Sequence, residues 1–301
     1  MRSVTTSRRA FVASSLCLSL AGIAALAGCG SSTEESSTEQ ADDTAATDAE
    51  TAEDAAETET TESETSETED DGLGLVVEGK LTIGSDCDYP PFIYMDGEEP
   101  RGFEYDLLTA ICEKMGLELN FLAPQKFDTL IAAVAVGGKM DLAVSSINIT
   151  DERKETVDFC DPYFDSNLSL SVLKSSSYKS SADLEGKQVG VQSGTTGEAW
   201  AKENIADATI VPFDDQSSAF VALQAGKVDA VCIDLPVAAD MIKTSYSDCT
   251  LIEEIATGEQ YGFAVSKDNN ALRDAVNDAL QAVNEDGTYA TLYDQYFSVE
   301  E

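Results

Sequence analysis

The sequence predicts an α/β fold made of two similar halves, preceded by a leader and an acidic spacer. Three observations predict it. From Lys80 onward, short apolar runs alternate with stretches of helical periodicity, the pattern of strands alternating with helices. A nine-residue pattern beginning at Gly138 returns at Gly226, 88 residues on. The charge is also unevenly spread: of 57 Asp and Glu, 17 fall in residues 30–71, where there is no Lys or Arg.

Residues 1–29 read as an address. Arg2, Arg8 and Arg9 precede an apolar run from Phe11 to Leu26 that is too short and too rich in Ser and Ala for a membrane span. It ends in Leu26-Ala27-Gly28-Cys29, which resembles the bacterial lipobox, whose cysteine is lipidated and becomes the new N-terminus. An ordinary signal with a chance cysteine is the alternative. Ser7-Arg8-Arg9-Ala10-Phe11-Val12 resembles a twin-arginine export motif, with a plain basic leader as the other reading. Residues 30–78 then read as a tether. Their first part is almost entirely Ser, Thr, Ala, Glu and Asp, with no apolar surface to bury, so an extended disordered spacer is expected. A neutral chain of about 45 residues would reach roughly 35–40 Å, and self-repulsion lengthens it.

Composition excludes several classes. With 18 Lys and Arg against 57 acids and no histidine, the 301-residue chain carries a formal charge of −39. Nucleic-acid binding needs a cationic face, so it is not expected. The absence of histidine removes Ser-His-Asp and Cys-His catalysis and every His-ligated metal site. A hydrophobic content of 43% is ample for a core. The leader holds three arginines and no acid, which leaves 40 acids and 15 bases in residues 72–301. Only Arg101, Arg153 and Arg273 are arginines there.

Leu81-Thr82-Ile83-Gly84 reads as the first strand. Phe103, Leu107, Ile111 and Met115 recur every four residues and make one apolar helix face. Phe127, Leu130, Ile131 and Val134 make a second, and both are assigned to packing, with Phe127 also kept as a site candidate. The stretch Gly138-Lys139-Met140-Asp141-Leu142-Ala143-Val144-Ser145-Ser146 follows the second helix. Its echo, Gly226-Lys227-Val228-Asp229-Ala230-Val231-Cys232-Ile233-Asp234, follows a helix around Ala219–Leu223. Each copy reads as helix, tight Gly-Lys turn and buried strand ending in polar side chains; a turn that alone demands Gly-Lys-x-Asp is the alternative. Ligands of open α/β sheets bind beyond the carboxyl ends of strands. That rule puts Ser145, Ser146 and Asp234 where a ligand would sit, with one group from each half.

Asn148-Ile149-Thr150-Asp151-Glu152-Arg153 comes next, and Thr150 reads as an N-cap with acids in the first turn. Arg153 falls in that turn, near enough to the strand end for its guanidinium fork to take a carboxylate in the cleft. A surface arginine paired with an acid is the other reading. Gln188 to Glu198 reads as strand, glycine turn and helix. Gly194 admits close backbone approach, and Thr195 and Thr196 stand at a helix N-terminus, which favours an anion. The segment lacks both the Gly-Lys-Ser/Thr ending of a phosphate loop and the dinucleotide glycine spacing. An arginine and a helix N-terminus for a carboxylate, an aspartate for a cation and Ser146 for further hydrogen bonds match the two charges of a zwitterion. No metal and no cofactor are expected.

Residues 79–301 resemble the family 3 bacterial extracellular solute-binding proteins, the polar-amino-acid receptors of ABC importers. The resemblance rests on Asp86-Cys87-Asp88-Tyr89-Pro90-Pro91-Phe92, Arg101-Gly102-Phe103-Glu104-Tyr105-Asp106-Leu107, Ile149 to Arg153 and Asp158-Phe159-Cys160-Asp161-Pro162-Tyr163. It continues in Gly190 to Gly197, Asp234-Leu235-Pro236, Asp286-Gly287-Thr288 and Tyr296-Phe297. It implies a two-lobed, periplasmic-binding-protein-like fold of type II, with two interlobe crossings and a central ligand cleft. Lobe 1 would be residues 79–166 plus 262–301, and lobe 2 residues 167–261. It also implies roles: Arg153 clamps the ligand carboxylate and Asp234 the ammonium, Thr195 and Thr196 add amides and hydroxyls, and Ser146 and Asn148 line the first lobe. Tyr89 would pack on the ligand side chain and Asp86 meet its distal end, unless Asp86 only anchors the turn before Pro90. Ser145, Gln192 and Phe127 complete the candidate set. Cys160 stands where the family often has Ser or Thr.

Beyond Cys17 and Cys29 the cysteines are Cys87, Cys112, Cys160, Cys232 and Cys249, an odd number, and buried free thiols are expected. The expected function is a binding module without chemistry: a monomeric lipoprotein, anchored on the outer face of the cell membrane, that hands a polar amino acid to the transmembrane subunits of an ABC permease. Asp86 and the acidic balance favour a basic or amide ligand such as arginine, lysine, histidine or glutamine, with cystine as an alternative. A cyclohexadienyl or arogenate-type dehydratase on the same fold would need a protonated cleft carboxylate, for which Asp234 or Asp86 would serve. An extracellular sensor would need a membrane-spanning helix and an output domain, neither of which the sequence shows.

Overall fold

A computed structural model of the chain describes residues 72–298. The export signal, the lipobox at Cys29 and the tether up to residue 71 lie outside the described residues. Two five-stranded sheets carry the fold, and their topologies match. The first contains β1 (Lys80–Gly84), β5 (Glu118–Phe121), β6 (Leu142–Ala143), β7 (Asp158–Phe159) and β13 (Ala264–Val265), in the order β5-β1-β6-β13-β7. The second contains β8 (Phe164–Leu173), β9 (Gln188–Gln192), β10 (Thr209–Phe213), β11 (Ala230–Asp234) and β12 (Cys249–Tyr261), in the order β10-β9-β11-β8-β12. In each, three parallel strands lie in the order second, first, third, and two antiparallel strands follow. A small antiparallel sheet, β2 (Asp88–Tyr89), β3 (Ile93–Asp96) and β4 (Glu99–Arg101), accompanies the first.

The helices form where periodicity placed them. α1 (Phe103–Met115) buries Phe103, Leu107 and Ile111 and ends at Gly116, whose φ of 71° only glycine adopts cheaply. α2 (Phe127–Val136) buries Phe127, Leu130 and Val134. The short α3 (Asp151–Lys154) starts at Thr150, whose hydroxyl accepts from the Arg153 amide. On the second sheet, α4 (Thr196–Asn204) and α5 (Gln216–Gln224) are capped by Thr195 and Asp215, and α6 (Leu235–Thr244) leaves directly from Asp234. α7 (Asn270–Glu285) and α8 (Thr288–Phe297) pack back on α1.

The repeated Gly-Lys-x-Asp pattern has a structural cause. The Asp141 amide donates to the Thr82 carbonyl at 2.8 Å while its carboxylate takes the Thr82 amide at 2.7 Å. Asp229 repeats the pair on Gln188, at 2.7 and 2.9 Å. Each aspartate thus closes a two-bond ring onto the start of the neighbouring parallel strand, so the pattern marks equivalent positions in the two halves. The copies differ beyond that point. β11 runs its full length to Asp234, whereas β6 pairs over two residues and the chain turns at Ser146, whose φ is 48°.

Two short segments join the sheets, one between β7 and β8 and one between β12 and β13, and they pair with each other. The Cys160 amide donates to the Phe263 carbonyl at 2.9 Å, and the Tyr163 amide to the Tyr261 carbonyl at 3.0 Å. Phe92, Phe103, Phe164, Tyr261 and Phe297 pack about this junction, Phe164 stacked on Tyr261, Phe92 edge-on to Phe103, Phe164 and Tyr261, and Phe297 tilted on Phe92 and Phe164. The five described cysteines are buried and unpaired, as expected, and Cys17 and Cys29 lie outside the described residues.

Candidate functional site

The carboxyl ends of the parallel strands of both sheets face one small, tightly closed cavity. It is lined by Tyr89, Phe127, Ser145, Ser146, Asn148 and Arg153 from the first half and by Gln192, Thr195, Thr196 and Asp234 from the second. Past Arg153, Thr195 and Thr196 lies an open groove that is also lined by Trp200 and Glu259.

The backbone brings Arg153 here because the chain turns at Ser146 after β6, bridges to Tyr261 at Asn148, and starts α3 at Asp151. Its guanidinium donates to two carbonyls, Asn148 at 2.7 Å and Gly194 of the opposite half at 2.9 Å. It also lies over the Phe127 ring, 5.5 Å from the centroid. Among the described residues no carboxylate forms an ion pair with it. Burial lowers its pKa from the usual value, while Asp234 and Glu259 act in the opposite sense. Asp234 is only 4% exposed and is held by neutral donors: the Tyr89 hydroxyl, Asn148 Nδ2 at 3.3 Å and Ser166 Oγ at 3.2 Å. Burial raises its pKa, and those donors pull it back. An arginine and an aspartate therefore face one cavity, neither in an ion pair and each hydrogen-bonded to neutral groups.

The two halves are closed over this space. Asn148 Nδ2 reaches Thr196 Oγ1 at 2.9 Å, Gln192 Nε2 reaches Asp86 Oδ2 at 2.8 Å, and Lys126 pairs with Asp214 at 2.6 Å. Asp88 takes both the Ser217 amide, at 2.7 Å, and its hydroxyl, at 2.6 Å. Gly194 (φ 79°) comes so close to α2 that a Cβ there would meet Asp128 Cβ at 3.1 Å.

Ten of the expected residues line the cavity, and the eleventh, Asp86, does not. It stands one layer behind, accepting from Ser145 Oγ at 2.7 Å and from Gln192. Burial pushes its pKa up to about 6, against the Ser145 and Gln192 hydrogen bonds. The Thr195 hydroxyl is already committed, donating to the Gln192 carbonyl at 2.8 Å and capping α4 through the Glu198 amide. Three cavity-lining atoms have no hydrogen-bond partner among the described residues: Ser146 Oγ, Asn148 Oδ1 and Gln192 Oε1. Two of them can only accept.

Several residues about the site carry no label in the sequence. Ser166 and Tyr261 back Asp234, the Tyr261 hydroxyl lying 3.0 Å from Ser166 Oγ, yet a serine and a tyrosine in strands look ordinary until the crossings bring them together. Glu259 on β12 faces Arg153 and Asp234, and burial, then Asp234, pushes its pKa up to about 7. Glu104 is fully buried beneath Ser146 and did have a signal, because it shares the core face of α1 with Leu107, Leu108 and Ile111.

Two lobes joined by two crossings and closed over a small polar cavity define a binding protein of the two-crossing, periplasmic-binding-protein-like kind. Residues 81–299 match the bacterial extracellular solute-binding proteins, family 3, and the chain belongs to that family. It is 35% identical over 224 residues to the ABC transporter arginine-binding protein 1 of Escherichia coli (strain K12), covering 72% of this chain and 90% of that protein. It is 31% identical to the L-cystine-binding protein TcyJ of the same strain, covering 74% of this chain and 84% of the relative. Among solved structures, an ancestral arginine-binding protein bound to arginine superposes with a TM-score of 0.69 at 39% identity, covering 73% of this chain and 99% of that one. An ancestral arginine-binding protein bound to glutamine matches at 38% identity with a TM-score of 0.69, covering 74% of this chain and 100% of that one. Among the described residues no helix is long and apolar enough to cross a membrane, and no cluster of acids and cysteines could hold a metal ion.

Proposed function

We propose that the protein is the substrate-binding lipoprotein of an amino-acid ABC importer, tethered to the outer face of the cell membrane through Cys29. It captures a polar amino acid by lobe closure and delivers it unreacted to the permease, acting as a monomer. The observation that carries this reading is the pair Arg153 and Asp234, opposite charges on one cavity with only neutral partners. Partly desolvated, unpaired charges are costly, and a zwitterion would offset both at once. In this reading Arg153 takes the α-carboxylate, with amides at the start of α4, and Asp234 takes the α-ammonium. Lobe 1 is residues 79–166 plus 262–301, and lobe 2 is residues 167–261.

A basic or amide side chain suits the remainder. Asn148 Oδ1 and Gln192 Oε1 can only accept, and Asp86 stands behind them, so the ligand should bring several N–H donors. The arginine-binding relatives and the arginine- and glutamine-bound structures support that class. L-cystine is the second reading, favoured by the likeness to TcyJ. A thermal-shift screen against the twenty amino acids and L-cystine tests it, since a ligand that binds only the folded state raises the melting temperature. The expected result is a rise with L-arginine or a related basic or amide amino acid, lost in Arg153→Ala and Asp234→Ala. No rise with any of them would overturn the amino-acid reading.

A further inference from the structure

Beneath the cavity floor lies a carboxylate that the binding scheme does not use. Glu104 is 0% exposed, and two donors converge on one of its oxygens. Oε1 accepts from the Ser146 amide at 2.8 Å and from the Tyr163 hydroxyl, while Oε2 has no partner among the described residues. The two donors belong to different machinery. Ser146 is the turn that ends the first-half strand, held at a φ of 48°, a left-handed conformation that strains a non-glycine residue, and it is one of the residues lining the cavity. Tyr163 opens a crossing between the lobes, bonded through its amide to Tyr261 and stacked on Phe263 at 4.6 Å.

We infer that Glu104 is a positioning residue for ligand capture: by holding the Ser146 amide and the Tyr163 hydroxyl on one oxygen, it fixes the cavity floor to the interlobe crossing. A buried acid is a poor choice for stability alone, since an apolar side chain of similar size would avoid its desolvation. Burial pushes its pKa up to about 7, against the Tyr163 and Ser146 bonds. Its presence here is explained by the strained turn it holds.

The inference rests on the amino-acid reading for its affinity arm and is independent of it for the other. Glu104→Leu fills the space without an acceptor, and Glu104→Gln keeps one. In the ligand-free protein, exchange of the Ser146 amide should be slow in the wild type and in Glu104→Gln, and at least about tenfold faster in Glu104→Leu. The Val144 amide, bonded to Gly84, should not change in any of the three. Calorimetric titration with L-arginine, at a temperature where circular dichroism shows every variant folded, should show about tenfold weaker binding in Glu104→Leu and near wild-type binding in Glu104→Gln. An unchanged Ser146 exchange rate in Glu104→Leu overturns the inference, as does unchanged affinity where the wild type binds. Should the wild type bind no amino acid, the proposed function fails and the exchange arm alone decides the role of Glu104.

Discussion

Asp86 shows how a single carboxyl can set the response of the site to acid. Burial between Ser145 and Gln192 holds its pKa near 6 in the ligand-free protein. A cationic side chain nearby favours the ionised form, so binding a basic amino acid must expel the proton below that pH. Affinity for L-arginine should therefore be flat above pH 7 and fall, by up to tenfold per unit, as pH drops below about 6. Stability of the free protein moves the other way. A carboxyl whose folded pKa is raised contributes stability that is fully present below its ordinary value of 3.8 and lost as pH rises through about 6. Titrations at pH 5, 6 and 7.5 check this, and Asp86→Asn should remove the inflection near pH 6. At this scale the sequence was informative wherever a residue type was out of place. Arg153 stood out as one of three arginines in the acidic residues 72–301, next to a strand end and a helix start. Ser166 and Tyr261 did not, because nothing about their types or neighbours distinguishes them before the two crossings meet.

At the scale of elements, the repeat was legible because one interaction recurs. Asp141 and Asp229 each tie the start of a third strand to the first by a ring of two hydrogen bonds, which needs an acceptor side chain at that position. Asp141→Ala would leave the buried Thr82 amide without its acceptor, along with the amide of Val76 bonded at 2.8 Å. It should lower stability by about 1–3 kcal/mol, read by urea unfolding, with little change in ligand affinity because Asp141 is not among the cavity-lining residues. The repeat concealed a difference in detail. The identical Gly-Lys-x-Asp starts imply equal strands, yet β6 pairs over two residues and β11 over five. Only Glu104, an acid on a helix face otherwise apolar, hints that the first copy ends in a turn needing a buried acceptor.

The whole molecule works as two lobes whose contacts meet at the cavity and around it. Several of these contacts are backbone approaches rather than side-chain pairs, and Gly194 is the tightest. It combines a φ of 79° with a would-be Cβ 3.1 Å from Asp128 Cβ, so Gly194→Ala is strained by itself and wedges the lobes apart. Ligand affinity should fall at least about tenfold while the fold of each lobe persists, with a larger radius of gyration by small-angle scattering in saturating ligand than the wild type. The two-lobed plan could be read from the repeat and from the family motifs. The closure contacts could not, because Gly194 against Asp128, Asp88 on Ser217 and Lys126 on Asp214 join residues separated by long stretches of chain.

In the proposed function the cavity holds both charges of a zwitterion, with Arg153 on the carboxylate. Calorimetric titration of the wild type and Arg153→Ala with L-arginine and with agmatine, the same side chain and amine without the carboxylate, tests it most directly. The wild type should bind L-arginine at least about 30-fold more tightly than agmatine, and Arg153→Ala should lose most of that preference. Equal affinity of the wild type for the two compounds, or an undiminished preference in Arg153→Ala, would contradict it.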